Sequence, residues 1–294
     1  MASENLIKLP LKEPLSYFSQ QTVGVDVGQS LSKLAYVKDN ELYLSINPTQ
    51  NSSLKIREFL ESIKNMYSNL NFTGGKSYGL YQQYSGDFNT RLLNEFEANV
   101  KGVEIFYLLE KKKTIPDSLV VSIGTGTSIV LKTDIVDHLG GTAMGGGFFM
   151  GLIKALFNIN DFQEAIDLAK EGNRYNIDLK VSDIYSPEDN RIDLIFREFT
   201  AASLGKIDLN FNINNLKKED FINSIICMIG ENIGTIANLM AVNNSVSNIV
   251  FCGGFLRENR VLTKILSLIC RVNKNKAIFL KNSEFSAALG ALCL

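Results

Sequence analysis

Residues 22–37 read TVGVDVGQSLSKLAYV, with apolar residues alternating on both sides of a centre of small and polar residues. This pattern predicts two antiparallel strands joined by a tight polar turn, because successive side chains point to opposite faces of a strand. Residues 118–131 read SLVVSIGTGTSIVL and repeat the arrangement around a turn rich in Gly and Thr. The doubled unit indicates an internal duplication. We therefore predict two lobes, residues 1–115 and residues 116–294.

The remaining chain alternates between strand and helix patterns, which is typical of α/β proteins. An apolar residue at every fourth position from Phe88 to Val100 predicts a helix over all or part of that stretch. We expect one long helical region after Gly147 and loops over residues 173–190. Further predicted elements are a polar helix near 54–67, a buried helix at 221–242, a strand at 247–254 and a terminal helix at 286–294.

Composition limits the classes of partner. The chain has 294 residues, and its 30 basic and 31 acidic side chains leave a net charge of -1. That balance provides no electrostatic footprint for nucleic acid or an anionic membrane, so we expect a metabolite as the partner. The charged, proline-containing start is unlike a secretory signal, and no apolar run suggests a membrane span. We expect a cytoplasmic protein with no membrane partner.

Four cysteines are spread over the second half of the chain without a CxxC pair, and there is a single histidine. This distribution indicates neither a zinc site nor a disulfide framework. We predict reduced thiols that are buried in the core, the usual environment of a free cysteine. They are Cys227, Cys252, Cys270 and Cys293.

The first candidate site is the turn DVGQSLSK, residues 26–33. Its glycine and serine can present N–H groups and a hydroxyl to phosphates, while Asp26 can hold Mg²⁺ directly or through water. The second is the turn GTGTS, residues 124–128, which places several hydroxyl donors beside two glycines. Each could also be an ordinary hairpin turn.

Two further glycine clusters are candidate nucleotide contacts. Residues 145–147 precede an apolar helix, where free N–H groups at the positive end of the helix dipole suit an anion. The alternative there is a structural glycine cap with close packing. Gly253 and Gly254 follow a predicted strand, where they would let a flat ring lie against the backbone. A strand-to-helix turn explains the second pair equally well.

In this order the motifs resemble the phosphate and adenosine elements of the acetate kinase, sugar kinase, heat-shock chaperone and actin superfamily. A narrower resemblance, from about Val23 to the end of the chain, is to type II pantothenate kinases. It implies a two-lobed, actin-like (ribonuclease H-like) fold with a nucleotide cleft between the lobes. The segments that carry the resemblance are residues 73–75, 93–97, 123–128, 140–147, 171–181, 200–205, 253–257 and 285–291.

The resemblance implies an activity and assigns roles to particular residues. The expected reaction is ATP-dependent phosphorylation of pantothenate, the first step of coenzyme A biosynthesis, with Glu95 as the general base. Asp26 would hold Mg²⁺. The remaining expected ATP contacts are Gly28, Ser30, Lys33, Gly124, Gly145, Gly146, Gly147, Gly253 and Gly254. The expected acceptor contacts are Thr125, Ser128, His138, Thr200, Ala201 and Ala202.

Two positions depart from the family pattern. Gln29 stands where a second glycine is usual, and His138 stands where an arginine usually binds the pantothenate carboxylate. Arginine is a permanent bidentate cation, whereas histidine titrates near neutral pH, so carboxylate recognition should be weaker. This keeps open an acceptor without the carboxylate, such as pantetheine, or a catalytically weak regulatory nucleotide-binding subunit.

The sequence disfavours an N-acetylglucosamine kinase, because it contains no ExGH-type sugar motif. The family resemblance further implies a homodimer, for which residues 221–242 could serve either as core or as interface. Inhibition by coenzyme A or its thioesters is common in the family. It is an open expectation for this chain.

Overall fold

The repeated strand-turn-strand units form the centres of two separate sheets. The computed structural model describes residues 6–11, 17–191, 193 and 197–294, with the side chains of residues 50–55 left aside. The first sheet has the strand order β1-β4-β3-β2-β5-β6. Its strands are β1 Leu6–Pro10, β2 Thr22–Val27, β3 Leu31–Lys38, β4 Glu41–Pro48, β5 Asn69–Thr73 and β6 Asn89–Leu92.

The second sheet repeats the central arrangement of the first. β2 pairs antiparallel with β3 and parallel with β5, and β7 pairs antiparallel with β8 and parallel with β12. The sheet order is β13-β12-β7-β8-β9, and β10 pairs with β11 in a separate two-stranded ribbon. These strands are β7 Ser118–Ile123, β8 Thr127–Lys132, β9 Val136–Thr142, β10 Leu179–Lys180, β11 Thr200–Ala202, β12 Asn248–Cys252 and β13 Lys276–Phe279.

The predicted helices are present with three differences, and two further helices were not predicted. The helices are α1 Thr49–Ile63, α2 Tyr78–Tyr84, α3 Glu95–Lys111, α4 Gly146–Phe157, α5 Phe162–Glu171, α6 Lys218–Asn243, α7 Arg260–Val272 and α8 Ser286–Cys293. The two that were not predicted are α2 and α7. The first difference is that α1 begins at Thr49, five positions before the predicted start at residue 54.

The second difference is that the single long helix expected after Gly147 is wrong, since the chain forms α4 and then α5. Asn158 ends α4 in the left-handed conformation, with φ of 56°. Asp161 then begins α5 by accepting a hydrogen bond from the Glu164 N–H at 2.8 Å. A left-handed Asn is a common helix C-cap, and an Asp that accepts a backbone hydrogen bond is a common N-cap. Together they end one helix and begin the next within a few residues.

The third difference concerns residues 88–100, which are helical only in part. Residues 89–92 form β6, which pairs parallel with β5, and the helix begins at Glu95. The Asn94 side chain caps it by accepting hydrogen bonds from the N–H groups of Phe96 and Glu97. The four-residue apolar spacing therefore spans a strand end and a helix start.

Helices α3 and α8 pack against each other between the two sheets. One buried cluster joins apolar residues of both sheets to residues of these two helices, so the core runs through the boundary region. The backbones approach closely at glycines: a Cβ on Gly102 would lie 1.8 Å from the Ser286 carbonyl oxygen. A Cβ on Gly24 of β2 would lie 2.0 Å from the Ala288 carbonyl oxygen. The C-terminal helix thus returns to the first sheet.

Helix α6 corrects one expectation from the sequence. By length and composition alone its 26 residues are long and apolar enough to cross a membrane, although no such run was expected. Just over half of its most apolar window is buried within the protein. The helix contributes Ile222, Ile226, Ile229 and Ile233 to the core beside the second sheet, which is the environment of a core helix.

The cysteines agree with the predicted thiol state. All four are free, and Cys227, Cys252 and Cys270 are buried, whereas Cys293 is partly exposed. Burial raises the pKa of Cys252 to about 11 and that of Cys293 to about 12. Thiols with such a high pKa stay protonated and are poor nucleophiles.

Candidate functional site

The end of β2 places a charged pair at the mouth of the cleft. Asp26 lies opposite Lys33 in the antiparallel register of β2 and β3. The Lys33 Nζ donates to Asp26 Oδ2 at 2.8 Å, and Asp26 is only 3% exposed. Gly74, at φ +90°, packs over the other carboxylate oxygen, since a Cβ there would lie 2.5 Å from Asp26 Oδ1. Glycine is required by this approach and by the left-handed backbone.

Glu95 faces this pair from the first position of α3. Its side chain is open to the cleft, yet the surrounding protein removes part of its water shell. This desolvation is the main reason that the pKa of Glu95 is raised, and the negative charge of Asp26 adds to the effect. Lys33 and the Gly75 N–H act in the opposite direction. A carboxylate with a raised pKa is a better match to a proton-accepting role near neutral pH.

The two phosphate-type turns touch each other across the cleft. The hydroxyls of Ser30 and Thr125 are hydrogen-bonded at 2.9 Å, although they are 95 positions apart in sequence. The first turn is closed by the Gly28 N–H, which donates to the Leu31 carbonyl oxygen at 3.0 Å. The Thr49 hydroxyl also donates to the Gly28 carbonyl oxygen. The fold therefore brings the two repeated turns together.

The glycines before α4 have a different role from the one expected. The N–H of Gly146 donates to the Gly124 carbonyl oxygen at 2.7 Å, and the N–H of Gly147 donates to the Thr125 carbonyl oxygen at 2.9 Å. The prediction that these N–H groups are free for an anion is wrong at both positions. A Cβ on Gly145 would lie 2.7 Å from the Thr125 carbonyl oxygen. The structure shows the alternative of close packing, here between the helix start and the second turn.

Gly253 and Gly254 end β12 beside the second turn. Gly253 has φ of +106°, and a Cβ there would lie 2.5 Å from the Ile123 carbonyl oxygen. A Cβ on Gly254 would lie 3.1 Å from the side chain of Leu31. Leu31 is the first residue of β3, in the other sheet. Gly253 is thus needed for packing against the second turn, whereas a side chain at Gly254 would make a tight contact with Leu31.

The acceptor-side candidates fall into two groups. Ser128 lies in β8 opposite Gly141 of β9. His138 is exposed and belongs to the strand β9, where it lies opposite Val130. Its ring stacks on Phe96, with centroids 3.9 Å apart and planes within 6°.

The second group, residues 200–202, forms β11 of the small ribbon and pairs with β10. Ala201 and Ala202 are exposed, and the Thr200 hydroxyl is buried with no hydrogen-bond partner among the described residues. No hydrogen bond within the described part of the chain joins this segment to the phosphate turns. The structure therefore groups Asp26, Lys33, Glu95, Ser30 and Thr125, and it leaves residues 200–202 outside that group.

Sequence reasoning missed two contributors to this region. Asn94 holds the start of α3, and its signal was available, because an Asn directly before two early glutamates is typical of an N-cap. Phe96 stacks on His138, and no local pattern indicates that contact.

A third omission is Arg174, which is buried between Asp178 and Glu231 with nitrogen–oxygen distances of 2.6 and 2.7 Å. The acidic partners offset the cost of burying its guanidinium group. This network lies in the second lobe and supports the segment that leads to the ribbon.

Curated relatives match nearly the whole chain. A type II pantothenate kinase of Bacillus cereus strain G9842 is 33% identical over 278 residues, which is 93% of this chain and 98% of that relative. The type II pantothenate kinase of Oceanobacillus iheyensis is also 33% identical, over 92% of this chain and 98% of the relative.

Solved structures agree on the fold. The activator of the 2-hydroxyisocaproyl-CoA dehydratase from Clostridium difficile, with bound ADPNP, has a TM-score of 0.62 at 16% identity and covers 92% of both chains. The ROK hexokinase from Thermus thermophilus has a TM-score of 0.54 at 11% identity, covering 92% of this chain and 96% of its own. The predicted two-lobed α/β fold of the sugar kinase and actin class is confirmed.

The family model described as Fumble matches residues 50–294, which include α3 with Glu95, the second phosphate turn and the glycine pair at the end of β12. Together with the curated relatives, this match means that the chain belongs to the Fumble family, the family of the type II pantothenate kinases.

Proposed function

We propose that the protein transfers the γ-phosphate of ATP to the primary hydroxyl of pantothenate, giving 4'-phosphopantothenate in the first step of coenzyme A biosynthesis. The observation that carries this proposal is the position of Glu95. It faces Asp26 and Lys33 where the two phosphate turns meet, in a chain whose relatives are named type II pantothenate kinases.

Glu95 serves as the general base in this proposal. Its carboxylate accepts the proton of the acceptor hydroxyl as that oxygen attacks the γ-phosphorus. Phosphoryl transfer depends mainly on positioning and charge stabilisation, so the base needs only to orient the nucleophile and take up its proton. Desolvation and the charge of Asp26 raise the pKa of Glu95. The higher pKa makes its carboxylate a stronger base for accepting the hydroxyl proton.

The residues at the cleft fit a nucleotide with a magnesium ion. Within the described residues no group of three His, Cys, Asp or Glu side chains could hold a metal. Magnesium commonly uses one or two carboxylates together with substrate phosphates, and the buried Asp26 carboxylate supplies one. Bound there, directly or through water, the ion would neutralise phosphate charge. Lys33, now paired with Asp26, would lie beside the same phosphates.

The proposed nucleotide contacts contribute in two ways. Ser30 and Lys33 offer polar groups, while the glycines allow the backbone to come close to the ligand. The N–H groups of Gly146 and Gly147 already donate to the second turn. These two glycines would therefore contribute by leaving space for the ligand and not by donating hydrogen bonds to it. The other glycines in this set are Gly28, Gly124, Gly145, Gly253 and Gly254.

Thr125, Ser128 and His138 are the proposed acceptor contacts within the cleft. Residues 200–202 would complete the acceptor site from a partner subunit in a homodimer, where the exposed Ala201 and Ala202 would be accessible to the neighbouring chain. A cytoplasmic location and inhibition by coenzyme A or an acyl-CoA belong to the same proposal. Pantetheine is a second candidate acceptor, because His138 is an imidazole stacked on Phe96 where a permanent cation is expected for a carboxylate.

The deciding experiment is an ATP-consumption assay with Mg²⁺ that compares pantothenate, pantetheine and N-acetylglucosamine at equal concentration, with product masses confirmed. We expect turnover of pantothenate and none of the sugar. Turnover of pantetheine alone would replace pantothenate as the acceptor. ATP binding without turnover of any acceptor would overturn the kinase assignment and favour a regulatory nucleotide-binding subunit.

A further inference from the structure

The stack of Phe96 and His138 joins the two lobes beside the proposed base. Phe96 follows Glu95 directly and packs against the core between the sheets, whereas His138 lies exposed on β9, the edge strand of the second sheet. Their ring centroids are 3.9 Å apart and their planes nearly parallel, at 6°. The contact therefore connects the first turn of α3 to the strand that lies beside the acceptor-side residues.

A side-chain cap and the ring contact both act at the start of α3. The Asn94 side chain accepts hydrogen bonds from the N–H groups of Phe96 and Glu97, at 2.8 and 3.3 Å, which fixes the backbone. The Phe96 ring is held on one face by His138. The Glu95 side chain itself is exposed, so its direction depends on this short backbone segment and on the hydrogen bond from the Gly75 N–H. A displacement of about 1 Å at a reacting group is enough to slow catalysis by about a hundredfold.

The partner strand carries the second phosphate turn. In the register of β8 and β9, Gly141 lies opposite Ser128 and Thr142 opposite Thr127, three and four positions beyond His138. The His138 ring on β9 is thus connected through the β8–β9 pairing to the turn that contains Thr125.

We propose that His138 is a positioning residue: through the plane of its ring it holds Phe96, and thereby directs the Glu95 carboxylate towards the acceptor hydroxyl. This inference rests on the proposed phosphoryl transfer and deepens it. His138 would then act as an aromatic surface instead of the acceptor contact that the family resemblance implies. Its loss should lower the rate whether or not the acceptor carries a charge. Pantothenate and pantetheine should therefore depend on it equally.

The kinetic test compares His138→Ala and His138→Phe with the control Val136→Ala, which lies two positions away on the same strand. The alanine variant at position 138 should lower kcat by about five- to tenfold for both acceptors, with KM changed less than about twofold. The phenylalanine variant keeps a flat ring without a titratable group, and it should recover most of the lost rate. A higher KM for pantothenate alone, with no recovery by phenylalanine, would make His138 an acceptor ligand and overturn the proposal.

Hydrogen exchange tests the same inference without turnover. We expect faster amide exchange over residues 94–100 in His138→Ala than in the wild type, and unchanged exchange in His138→Phe and Val136→Ala. Unchanged exchange in the alanine variant would contradict a positioning role. If the wild type phosphorylates neither acceptor, the proposed function fails, and exchange over this segment still decides whether the stack holds the helix start.

Discussion

At the scale of single residues, the cleft depends on the balance between two carboxylates and one ammonium group. Asp26 is buried and paired with Lys33, whereas Glu95 lies open to the cleft and has no ion-pair partner among the described side chains. Desolvation and the nearby Asp26 both disfavour the charged form of Glu95, which raises its pKa. The surroundings of the two carboxylates therefore differ: Asp26 is suited to binding a cation, and Glu95 is suited to accepting a proton.

Replacement of the proposed base should separate binding from chemistry. We expect Glu95→Gln to lower kcat by about 10²- to 10⁴-fold, the usual contribution of a general base, because the amide cannot accept the proton. Binding of a non-hydrolysable ATP analogue, measured by calorimetry, should stay within about twofold of the wild type. Glu97→Gln is the matched control, since Glu97 is an exposed glutamate of the same helical turn. Full activity of Glu95→Gln would remove Glu95 from the mechanism.

The raised pKa of Glu95 also predicts a pH dependence. The base works in its charged form, so kcat should fall as the pH drops through a pKa above the ordinary glutamate value of 4.5. The acidic limb of a pH–rate profile measures this pKa. Its assignment requires two variants: the limb should persist in His138→Phe and disappear from the residual activity of Glu95→Gln. A limb at or below pH 4.5, with circular dichroism showing a folded protein, would contradict the expected shift.

At the scale of elements, the start of α4 is built onto the second phosphate turn. The Gly146 and Gly147 N–H groups donate to carbonyl oxygens of that turn, and the glycine before them leaves no room for a side chain. Helix and turn therefore behave as one unit. A change at the helix start should be transmitted to the proposed nucleotide site.

Gly145→Ala tests this coupling. Its Cβ would lie 2.7 Å from the Thr125 carbonyl oxygen and 2.9 Å from the Gly124 carbonyl oxygen, so the turn would have to move. We expect a loss of about 1–3 kcal/mol in the free energy of unfolding and weaker binding of ATP, measured by urea unfolding and calorimetry. In Gly151→Ala, on the same helix, the Cβ meets no atom within 4 Å. That control should gain up to about 1 kcal/mol; equal losses in both variants would refute the coupling.

At the scale of the whole molecule, the crossing of α3 and α8 holds the two sheets together. The first sheet is formed early in the chain, yet the last helix packs on it, and both helices share one core with the second sheet. The first sheet and the C-terminal helix are thereby held in one structural unit. The lobes should consequently unfold together.

Gly290→Ala tests that crossing. Its Cβ would lie 1.6 Å from the Ala98 carbonyl oxygen, so the two helices would have to separate. We expect the free energy of unfolding to fall by about 3 kcal/mol, in a single transition seen alike by circular dichroism and tyrosine fluorescence. Gly79→Ala, where the Cβ meets no atom within 4 Å, should unfold like the wild type. Two separate transitions in the wild type would show that the crossing does not couple the lobes.

Local pattern and motif order were enough to predict the duplicated strand-turn-strand units, the buried helix, the terminal helix and the pair of phosphate-type turns. These features depend on alternation, turn chemistry and small residues within a few positions of one another. The family resemblance selected Glu95 as the base. The break between α4 and α5 was missed although its signals at Asn158 and Asp161 are local.

The sequence by itself therefore determined the duplicated strand-turn-strand units, the buried and terminal helices and the order of the motifs. Only the tertiary structure decided which groups meet: Ser30 with Thr125, Phe96 with His138, and the glycine N–H groups with the second turn. The reason is physical. A backbone N–H or a ring face is satisfied by whatever atom the packing of distant elements brings near, and that choice is made by the global core rather than by neighbours along the chain.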